Sequence, residues 1–390
     1  MADQGGHAQP KDNADCLRVL IAGAGVAGLE AAFALRGMAG QRVELTLIAP
    51  VDDFVYRPMA VAEPFSSGTA QRYPLARLAA EADAELLHDA LVEVDTENRR
   101  VRTSSGKDLS YDALIVGLGA TMHPSFEHAT IVDDARIDEL LHGLVQDIEQ
   151  GLVTHLAVVV PAPAPWPLPA YEIALMSSER AWDMQAQMRV TLLTPESTPL
   201  AAFGGQASLE AARLLTERHV EVVTSAYCEV PDSKTIRIHP GDRALEVDRV
   251  VALPALRGPA VPGLPRDGGG FIPVDAYGRV RNVDHVWAAG DGTDFPVKHG
   301  GVAAQLADTV AQSIASLTGA SIAPEPFDPV LEGVLLTGAS PVRLRGHVTG
   351  GHGAQSELAK IARTGAPSKI SAHYLTPHLI DQAAGEVPGS

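Results

Sequence analysis

The chain has 390 residues, of which 46% are hydrophobic, and a formal net charge of −18; it can bury one large core or two to three smaller ones. The negative charge argues against nucleic acid as a partner and against general adsorption to anionic lipid. No apolar run comes near the roughly 18 residues that a transmembrane helix needs. Residues 1–16 lack the apolar core of a signal peptide and are expected to form a disordered tail.

The chain contains two cysteines, Cys16 and Cys228. They are too few and too far apart to build a disulfide framework, and they suit a reducing cytoplasm, which is the expected location. Neither belongs to a paired C-x-x-C motif, so thiol–disulfide exchange is disfavoured.

The first predicted elements are a strand, a glycine turn and a helix within LRVLIAGAGVAGLEAAFALRGM, followed by a strand at VELTLI. Residues 91–116 alternate in twos around polar turns, which is typical of antiparallel strands inserted in such a domain. A second series then begins. Its predicted strands are THLAVVV, RVTLLTP and VEVVTS, its helices lie near 170–186 and 206–218, and VDRVVALPAL closes it.

The remaining elements are a strand at HVWAAGD and a helix over about 301–317. APEPFDPV is predicted to link this helix to a C-terminal region of low apolar content, where SELAKIAR predicts a short helix. The alternation of strands and helices predicts an α/β fold with mostly parallel sheets. We expect two Rossmann-like dinucleotide-binding domains, the first (17–150 and 261–325) interrupted by the second (151–260), and a small C-terminal region (326–390).

Gly23, Gly25 and Gly28 form the pattern G-A-G-V-A-G between the first strand and helix. The first glycine of such a loop allows a tight turn, the second lets a pyrophosphate approach the backbone, and the third lets helix and strand pack closely. The helix N-terminus then offers its amides to the phosphates. The acidic residue expected at the end of the second strand is missing, so Asp52 or Asp53 would have to contact the ribose instead.

Asp291 directly follows the strand HVWAAGD, where its carboxylate can accept from a ribityl hydroxyl. Beyond it, Gly300, Gly301, Val302 and Ala303 open a helix with small residues, so a flat ring system can approach the N-terminal amides. Such a placement would stabilise negative charge on a flavin ring.

These motifs together resemble the FAD-dependent pyridine nucleotide–disulfide oxidoreductase superfamily, in the branch of type II NADH dehydrogenases, sulfide:quinone reductases and flavocytochrome c sulfide dehydrogenases. The matching stretches are GAGVAGLEAA (23–32), FVYRPMAV (54–61), YDALIVGLGA (111–120), VWAAGDGTDFPVKHGGVAAQLAD (286–308) and, near the end, PSKISAHYLTPHL.

The resemblance implies non-covalent FAD held by the first domain and a second domain of the NAD(P) type. The implied cofactor-binding residues are Gly23, Gly25 and Gly28 at the pyrophosphate, Asp291 at the ribitol, Val302 and Ala303 at the isoalloxazine, Arg57 and Pro58 near the flavin, Leu91 near the adenine, and also Ala27, Ala120 and Gly290. A homodimer is a further expectation from the superfamily.

The second domain lacks the glycine-rich loop that relatives use for NAD(P)H. Its turn instead carries prolines at 161, 163, 165, 167 and 169, with no glycine. Each proline lacks an N–H, fixes φ near −65° and extends its predecessor, and without glycine no positive φ is available. The sequence therefore predicts a degenerate loop that does not bind a pyrophosphate in the usual way.

Two residues are candidate catalytic groups. Glu172 stands where the superfamily's helix-borne glutamate faces nicotinamide and flavin, and it either orients a donor or exchanges a proton there, or simply caps the helix. Lys298 either stabilises negative charge on the flavin or is an exposed lysine without a role. His299 is either a proton relay or a loop histidine without function. Trp166 and Tyr171 are expected to pack.

No metal site is expected, although HVTGGHG (347–353) carries two histidines. The segment from 341 to 378 is basic, with Arg343, Arg345, Lys360, Arg363 and Lys369 against Glu357. This segment is either a solvated surface or a weak peripheral contact for a membrane or partner.

Three functions remain open. The first is an FAD oxidoreductase with an unsettled donor and acceptor, exchanging electrons with a small molecule or a protein. The second is an NAD(P)H:quinone oxidoreductase, for which the C-terminal region offers few of the aromatics that an interfacial helix needs. The third is a flavin-containing redox sensor without turnover.

Overall fold

The computed structural model describes residues 16–347, 356–360 and 369–383. The predictions made for the N-terminal tail and for HVTGGHG lie outside the described residues and side chains, apart from Cys16.

The strands of the described chain are β1 (Leu17–Ala22), β2 (Val43–Ala49), β3 (Asp53–Val55), β4 (Arg72–Pro74), β5 (Ala84–His88), β6 (Leu91–Asp95), β7 (Arg100–Thr103), β8 (Asp108–Ser110), β9 (Ala113–Val116), β10 (Thr121–His123), β11 (Thr130–Ile131), β12 (His155–Val159), β13 (Arg189–Leu193), β14 (Val220–Val223), β15 (Tyr227–Asp232), β16 (Thr235–His239), β17 (Arg243–Glu246), β18 (Arg249–Ala252), β19 (Ala255–Arg257), β20 (Val286–Ala288), β21 (Val330–Leu335), β22 (Val342–His347) and β23 (Ser356–Lys360). The α-helices are α1 (Val26–Ala39), α2 (Leu75–Glu81), α3 (Ile137–Glu149), α4 (Leu168–Asp183), α5 (Gly205–Glu217), α6 (Gly300–Leu317) and α7 (Thr376–Ala383). Short 3-10 helices cover Gly40–Arg42, Arg57–Phe65 and Ala201–Phe203.

Two parallel sheets form the centre of the fold, which confirms the α/β prediction. The first sheet has the order β20-β9-β1-β2-β5 and the second has the order β11-β18-β12-β13-β14. All neighbours in both sheets run parallel. The last four residues of β1 and all of β9 are buried, as expected for strands covered on both faces.

The strands of residues 91–116 divide between two sheets. β6, β7 and β8 form the predicted antiparallel insertion. The prediction is wrong for β9, which pairs parallel with β1 and β20. Its apolar run ALIV is buried throughout, so tertiary burial rather than alternation decides its place.

The second sheet also includes β11, which lies inside the range 17–150 that the sequence assigns to the first domain. Two residues are too few to show a periodic signal. The domain boundaries otherwise remain a prediction.

The C-terminal region contains an antiparallel sheet in the order β21-β22-β23. The predicted helix at SELAKIAR is wrong over Ser356–Lys360, which pairs with β22 as a strand, because backbone pairing overrides a weak local helix propensity. This sheet packs on the second domain: the backbones of Gly346 and Phe203 are in close contact, and Gly333 faces the Phe203 ring.

Among the described residues, no helix is both long and apolar enough to span a bilayer. Within the same residues, no group of three or more His, Cys, Asp or Glu side chains is arranged to hold a metal ion.

Candidate active site

Three loops meet at the carboxyl ends of the neighbouring strands β1, β9 and β20. Gly23 follows β1 with φ of +103°, and a Cβ there would lie 2.4 Å from the carbonyl oxygen of Gly117, which follows β9. Gly292, beyond β20, is similarly close to the carbonyl of Gly119. In open α/β sheets, ligands bind at this edge, where the strand order changes direction; here that point is β1.

The glycine loop has the geometry that an adenine dinucleotide needs. A Cβ on Gly28 would lie 1.8 Å from the carbonyl oxygen of Gly23, so only glycine lets α1 pack this close to β1. At Gly25, by contrast, no described heavy atom lies within 4 Å of the Cβ position. Gly25 is also the N-cap of α1 and supplies no side-chain cap. The helix N-terminus is thus left open to an anion.

The other end of the site is formed by the segment between β20 and α6. Gly290 has φ of +85° and packs on Ala27 and Ala303, and Val302 and Ala303 are buried at the start of α6. Asp291 is half-buried, and among the described residues no group donates a hydrogen bond to its carboxylate. Burial raises the pKa of Asp291 to about 6, and the charge of Lys298 opposes that rise. A half-buried carboxylate without a donor can accept hydrogen bonds from the hydroxyl groups of a polyol ligand.

The remaining predicted contacts lie around the same edge. Arg57 and Pro58 begin a 3-10 helix, and the Arg57 side chain is exposed. Ala120 follows the Gly117–Gly119 loop. Leu91 begins β6, two residues after Asp89, whose N–H donates to the carbonyl of Ala49 at the end of β2. The glycine loop, the segment around Asp291 and the start of β6 therefore lie at one carboxyl edge of the first sheet, and these residues fit FAD.

Lys298 is buried, in contrast to the exposed alternative left open by the sequence. Its ammonium donates to the carbonyl oxygen of Thr293 at 2.5 Å and lies 4.0 Å from the centre of the Phe271 ring. Burial lowers the pKa of Lys298 to about 8, and nearby Asp291 and Asp294 oppose the shift. Lys298 therefore organises the loop that also carries Asp291.

His299 caps the N-terminus of α6. Its Nδ1 accepts from the N–H of Gly301 at 3.2 Å, its ring stacks on Trp166 with centroids 4.3 Å apart, and it hydrogen-bonds the backbone of Lys369. Burial lowers the pKa of His299 to about 4. An imidazole that is neutral at neutral pH and caps a helix favours the structural alternative over a proton relay.

Glu172 forms a buried ion pair with Lys369. The ammonium lies 2.7 Å from one carboxylate oxygen and 2.8 Å from the other, and the N–H of Leu336 donates to the first at 3.0 Å. Glu172 is 0% and Lys369 6% exposed. Burial raises the pKa of Glu172, and the Lys369 cation opposes this rise. Glu172 thus joins α4 to the C-terminal region.

Sequence reasoning missed Lys369, which it counted in a basic, solvated segment. Arg343 and Arg345 of that segment are exposed, and Arg345 pairs with Glu332 at 3.3 Å, but Lys369 is not available to a membrane. Nothing in the short polar stretch around Lys369 predicts that its side chain is buried. Asp134 was also missed. Burial raises its pKa, and the charges of Arg57 and Lys369 oppose the rise.

The cysteines lie apart from this edge. Cys16 precedes β1, at the opposite end of the strand from the glycine loop, and Cys228 lies on β15. Both are free, and burial raises the pKa of the Cys228 thiol to about 12, so it is not a reactive thiolate.

Tyr171 and Trp166 both pack near the proline loop, and Tyr171 is also held by a polar network. Tyr171 is fully buried; its hydroxyl donates to Glu196 at 2.7 Å and accepts from the N–H of Leu200 at 3.2 Å. Trp166 packs against Phe203 and His299. Both expectations of packing agree with these contacts.

Replacing Tyr171 by Phe removes both of these hydrogen bonds inside the second domain. We expect Tyr171→Phe to lower the free energy of unfolding by roughly 1–3 kcal/mol, because the Glu196 carboxylate loses one of its donors and the buried amide of Leu200 loses its acceptor. Urea denaturation at neutral pH measures the change. Tyr227→Phe, at an exposed tyrosine of the same domain, is the control and should leave the midpoint unchanged; equal midpoints for both variants would contradict the prediction.

Two parallel α/β sheets and an open, glycine-lined helix N-terminus define the class as dinucleotide-binding proteins. The chain belongs to the pyridine nucleotide-disulphide oxidoreductase family, whose sequence pattern matches residues 17–158 and 170–315. It is a flavin-dependent oxidoreductase. No curated protein matches the chain in sequence.

Solved structures show the same fold at low sequence identity. The sulfide:quinone oxidoreductase of Aquifex aeolicus is 17% identical with a TM-score of 0.77, over 88% of this chain and 87% of that one. The ferredoxin reductase for the CYP199A2 system from Rhodopseudomonas palustris is 21% identical with a TM-score of 0.64, over 85% and 83%. The NAD-dependent persulfide reductase from A. fulgidus is 19% identical with a TM-score of 0.60, over 85% and 64%.

Proposed function

We propose that the protein is an oxidoreductase with non-covalent FAD in the first domain, and that its electrons come from a donor other than NADH or NADPH. The observation that carries this proposal is the second nucleotide loop. The family pattern ends at 158 and resumes at 170, so it breaks off over the proline run alone. The fold is kept on both sides of a loop in which every second residue is a proline without an amide donor.

The proline loop is also packed against the flavin end of the site. The carbonyl of Pro165 accepts from the N–H of Lys298 at 3.2 Å, and Trp166 lies between the rings of His299 and Phe203. A nicotinamide ring approaching from the second domain would have to displace Trp166 or the loop. These contacts favour a loop that serves packing.

The acidic residue of the second domain supports the same proposal. Glu196 follows β13, the second strand of the unit, from which a Rossmann acid usually bonds a ribose hydroxyl. One of its oxygens accepts from Tyr171 at 2.7 Å and Thr194 at 2.9 Å, and the other from the N–H of Ala201 at 3.0 Å. The carboxylate is therefore satisfied within the chain.

Bound FAD supplies hydride or one-electron transfer, and this chain's residues would hold it. The amides at the start of α1 would bind the pyrophosphate, and Asp291 would accept from the ribityl chain. The N-terminus of α6, capped by neutral His299, would face the ring with its positive dipole end. Glu172, paired with Lys369, would hold a proton or a charge beside that helix.

A quinone acceptor is the second candidate. The specific observation in its favour is that the similarity to the Aquifex sulfide:quinone oxidoreductase covers 88% of the chain, including part of the C-terminal region. Sulfide as the donor is disfavoured, because both cysteines lie away from the candidate site and the Cys228 thiol stays protonated.

The test is anaerobic reduction of the purified protein. We expect a yellow protein whose visible flavin band is bleached by dithionite, but not rapidly by micromolar NADH or NADPH. Two missing amide bonds to a charged group correspond to roughly 3–6 kcal/mol, or about 10²–10⁴ in affinity. Rapid bleaching by either nucleotide would overturn the choice of donor, and a colourless protein that takes up no FAD would overturn the cofactor.

A loop variant tests the physical reason. Pro161→Gly, Pro163→Gly and Pro165→Gly together restore amides and positive-φ conformations, and we expect measurable nucleotide binding in this variant. Pro262→Gly, outside the loop, serves as the matched control. A triple variant that binds no better than the control would contradict the role given to the prolines.

A further inference from the structure

Residues 369–379, here called the C-terminal strap, lie against the N-terminus of α6 and against α1. Lys369 pairs with Glu172 of the second domain, and the N–H of Ile370 donates to the hydroxyl of Tyr56 at 2.8 Å. Ile370 packs on Gly300, where a Cβ would lie 2.3 Å from its side chain. The strap therefore lies against the first turn of α6.

The strap is anchored on α1 by a single buried carboxylate. The two oxygens of Glu30 accept from the N–H groups of Tyr374 at 2.8 Å and Leu375 at 2.6 Å. Glu30 is 0% exposed. Further along, the His378 ring stacks on Phe33 with centroids 3.9 Å apart, and its carbonyl accepts from Arg77 at 3.0 Å; these outer contacts are partly exposed.

A second carboxyl group faces the first one. The carboxyl group of Asp308 on α6 interacts with that of Glu30, its Oδ1 is buried without a hydrogen-bond partner among the described residues, and α1 packs along α6. Two carboxyl groups in such contact cannot both be charged without a large cost, so they share one proton. The two amides bind the charged form of Glu30, which leaves the proton on Asp308. Consistently, burial and the neighbouring charge of Glu30 together raise the pKa of Asp308 to about 8.

Among the described residues, no cation contributes to the electrostatics of Glu30 or Asp308. From the strap, the backbone of residues 373–375 and the ring of Tyr374 face this pair. α1 contributes Glu30 and α6 contributes Asp308. Among the described residues, Glu30 is the one charged group that acts on Asp308. Loss of the shared proton therefore places two negative charges under the strap.

We propose that Glu30 and Asp308 are positioning residues that latch the C-terminal strap over the flavin-facing helix, and that the strap is released when their shared proton is lost. When the strap is latched, Lys369 at its start lies against Glu172 and forms the buried ion pair. The proposal rests on the proposed function only for the identity of the site beneath the strap.

The sign of the pH dependence follows from the geometry. In the latched form, Glu30 and Asp308 keep their shared proton to a higher pH than they do in the open, hydrated form. Opening therefore releases a proton. Below the pKa of Asp308, the opening equilibrium of a one-proton latch increases about tenfold per pH unit, and above it the dependence levels off. The open fraction is therefore smallest in mildly acidic solution and increases towards alkaline pH, while the closed form stays the major one.

Limited trypsin digestion of the full-length protein tests this, with cleavage after Lys369 followed by mass spectrometry. Lys369 is buried in the latched form, so its cleavage reports opening whether or not FAD is bound, and a failure of the flavin proposal leaves this readout intact. Rates are divided by the cleavage rate at exposed Lys107, which corrects for the pH dependence of trypsin.

In the wild type, we expect this ratio to rise about tenfold from pH 6.5 to 7.5. Asp308→Asn mimics the protonated carboxyl and should give a low, pH-independent ratio. Glu30→Gln removes the charge that binds the two amides and should give a high ratio at every pH. Asp248→Asn is the matched control, because Asp248 also accepts from two consecutive amides, those of Thr154 and His155, in the second domain.

Two results would overturn the proposal: a wild-type ratio that does not change with pH, or an Asp308→Asn profile that follows the wild type. If Glu30→Gln does not fold, the comparison of Asp308→Asn with the wild type still decides. A purely structural Asp308 would change the overall stability of the protein but would not remove the pH profile of a single cleavage site.

Discussion

We expect Gly25→Ala to yield a folded protein that purifies with little or no flavin. The backbone of Gly25 has φ of −79° and ψ of −169°, which any residue adopts, and a Cβ there meets no described atom within 4 Å. The methyl group instead occupies the space in front of the α1 amides where a pyrophosphate would lie. Losing two amide–phosphate bonds weakens FAD binding by roughly 10²–10⁴.

The matched control is Gly205→Ala. Gly205 opens α5 of the second domain and has equally open space at its Cβ position, yet no nucleotide is expected there. We expect this variant to purify with the same flavin content as the wild type. The flavin-to-protein absorbance ratio, together with a thermal unfolding midpoint, measures both outcomes.

Gly28→Ala separates cofactor loss from loss of fold. Its Cβ would overlap the carbonyl of Gly23, so the variant should lose stability as well as flavin, whereas Gly25→Ala should lose flavin alone. A Gly25→Ala protein that retains wild-type FAD would show that the cofactor does not use this helix N-terminus.

The sequence was sufficient where a local pattern carries the constraint. The glycine loop, the strand before Asp291 and the alternation of strands and helices can each be read from neighbouring residues in the sequence. The structure brings the glycine loop and Asp291 to the same edge of the first sheet. Gly25 illustrates this: its role follows from its place between a strand and a helix, before any contact is known.

Sequence reasoning failed where the constraint comes from distant residues. Lys369 is an ordinary lysine in a polar segment until Glu172, 197 positions away, supplies its partner. Glu30 lies in the middle of an alanine-rich helix, and nothing local indicates that it binds amides of Tyr374 and Leu375. Strand β23 forms because β22 pairs with it, although its own residues favour a helix.

The buried ion pair gives the second large effect. Lys369→Met leaves the Glu172 carboxylate without its cation in a fully buried site, so we expect a loss of roughly 3–5 kcal/mol in the free energy of unfolding at pH 8. Glu172→Gln combined with Lys369→Met keeps the acceptor for the N–H of Leu336 and removes the charge. The double variant should recover most of the loss.

The pH dependence of Lys369→Met distinguishes a lost charge partner from lost packing. Without the cation, the pKa of Glu172 in the folded protein lies further above its unfolded value, about 4.3, so the folded state binds more protons than the unfolded state. Stability then falls as pH rises through this range, and the loss should be smaller at pH 5 than at pH 8. Urea denaturation at both values measures it, with Lys107→Met at an exposed lysine as control. An equal loss at both pH values, or a double variant as unstable as the single one, would mean that the methylene chain of Lys369 rather than its charge stabilises the junction between α4 and the strap.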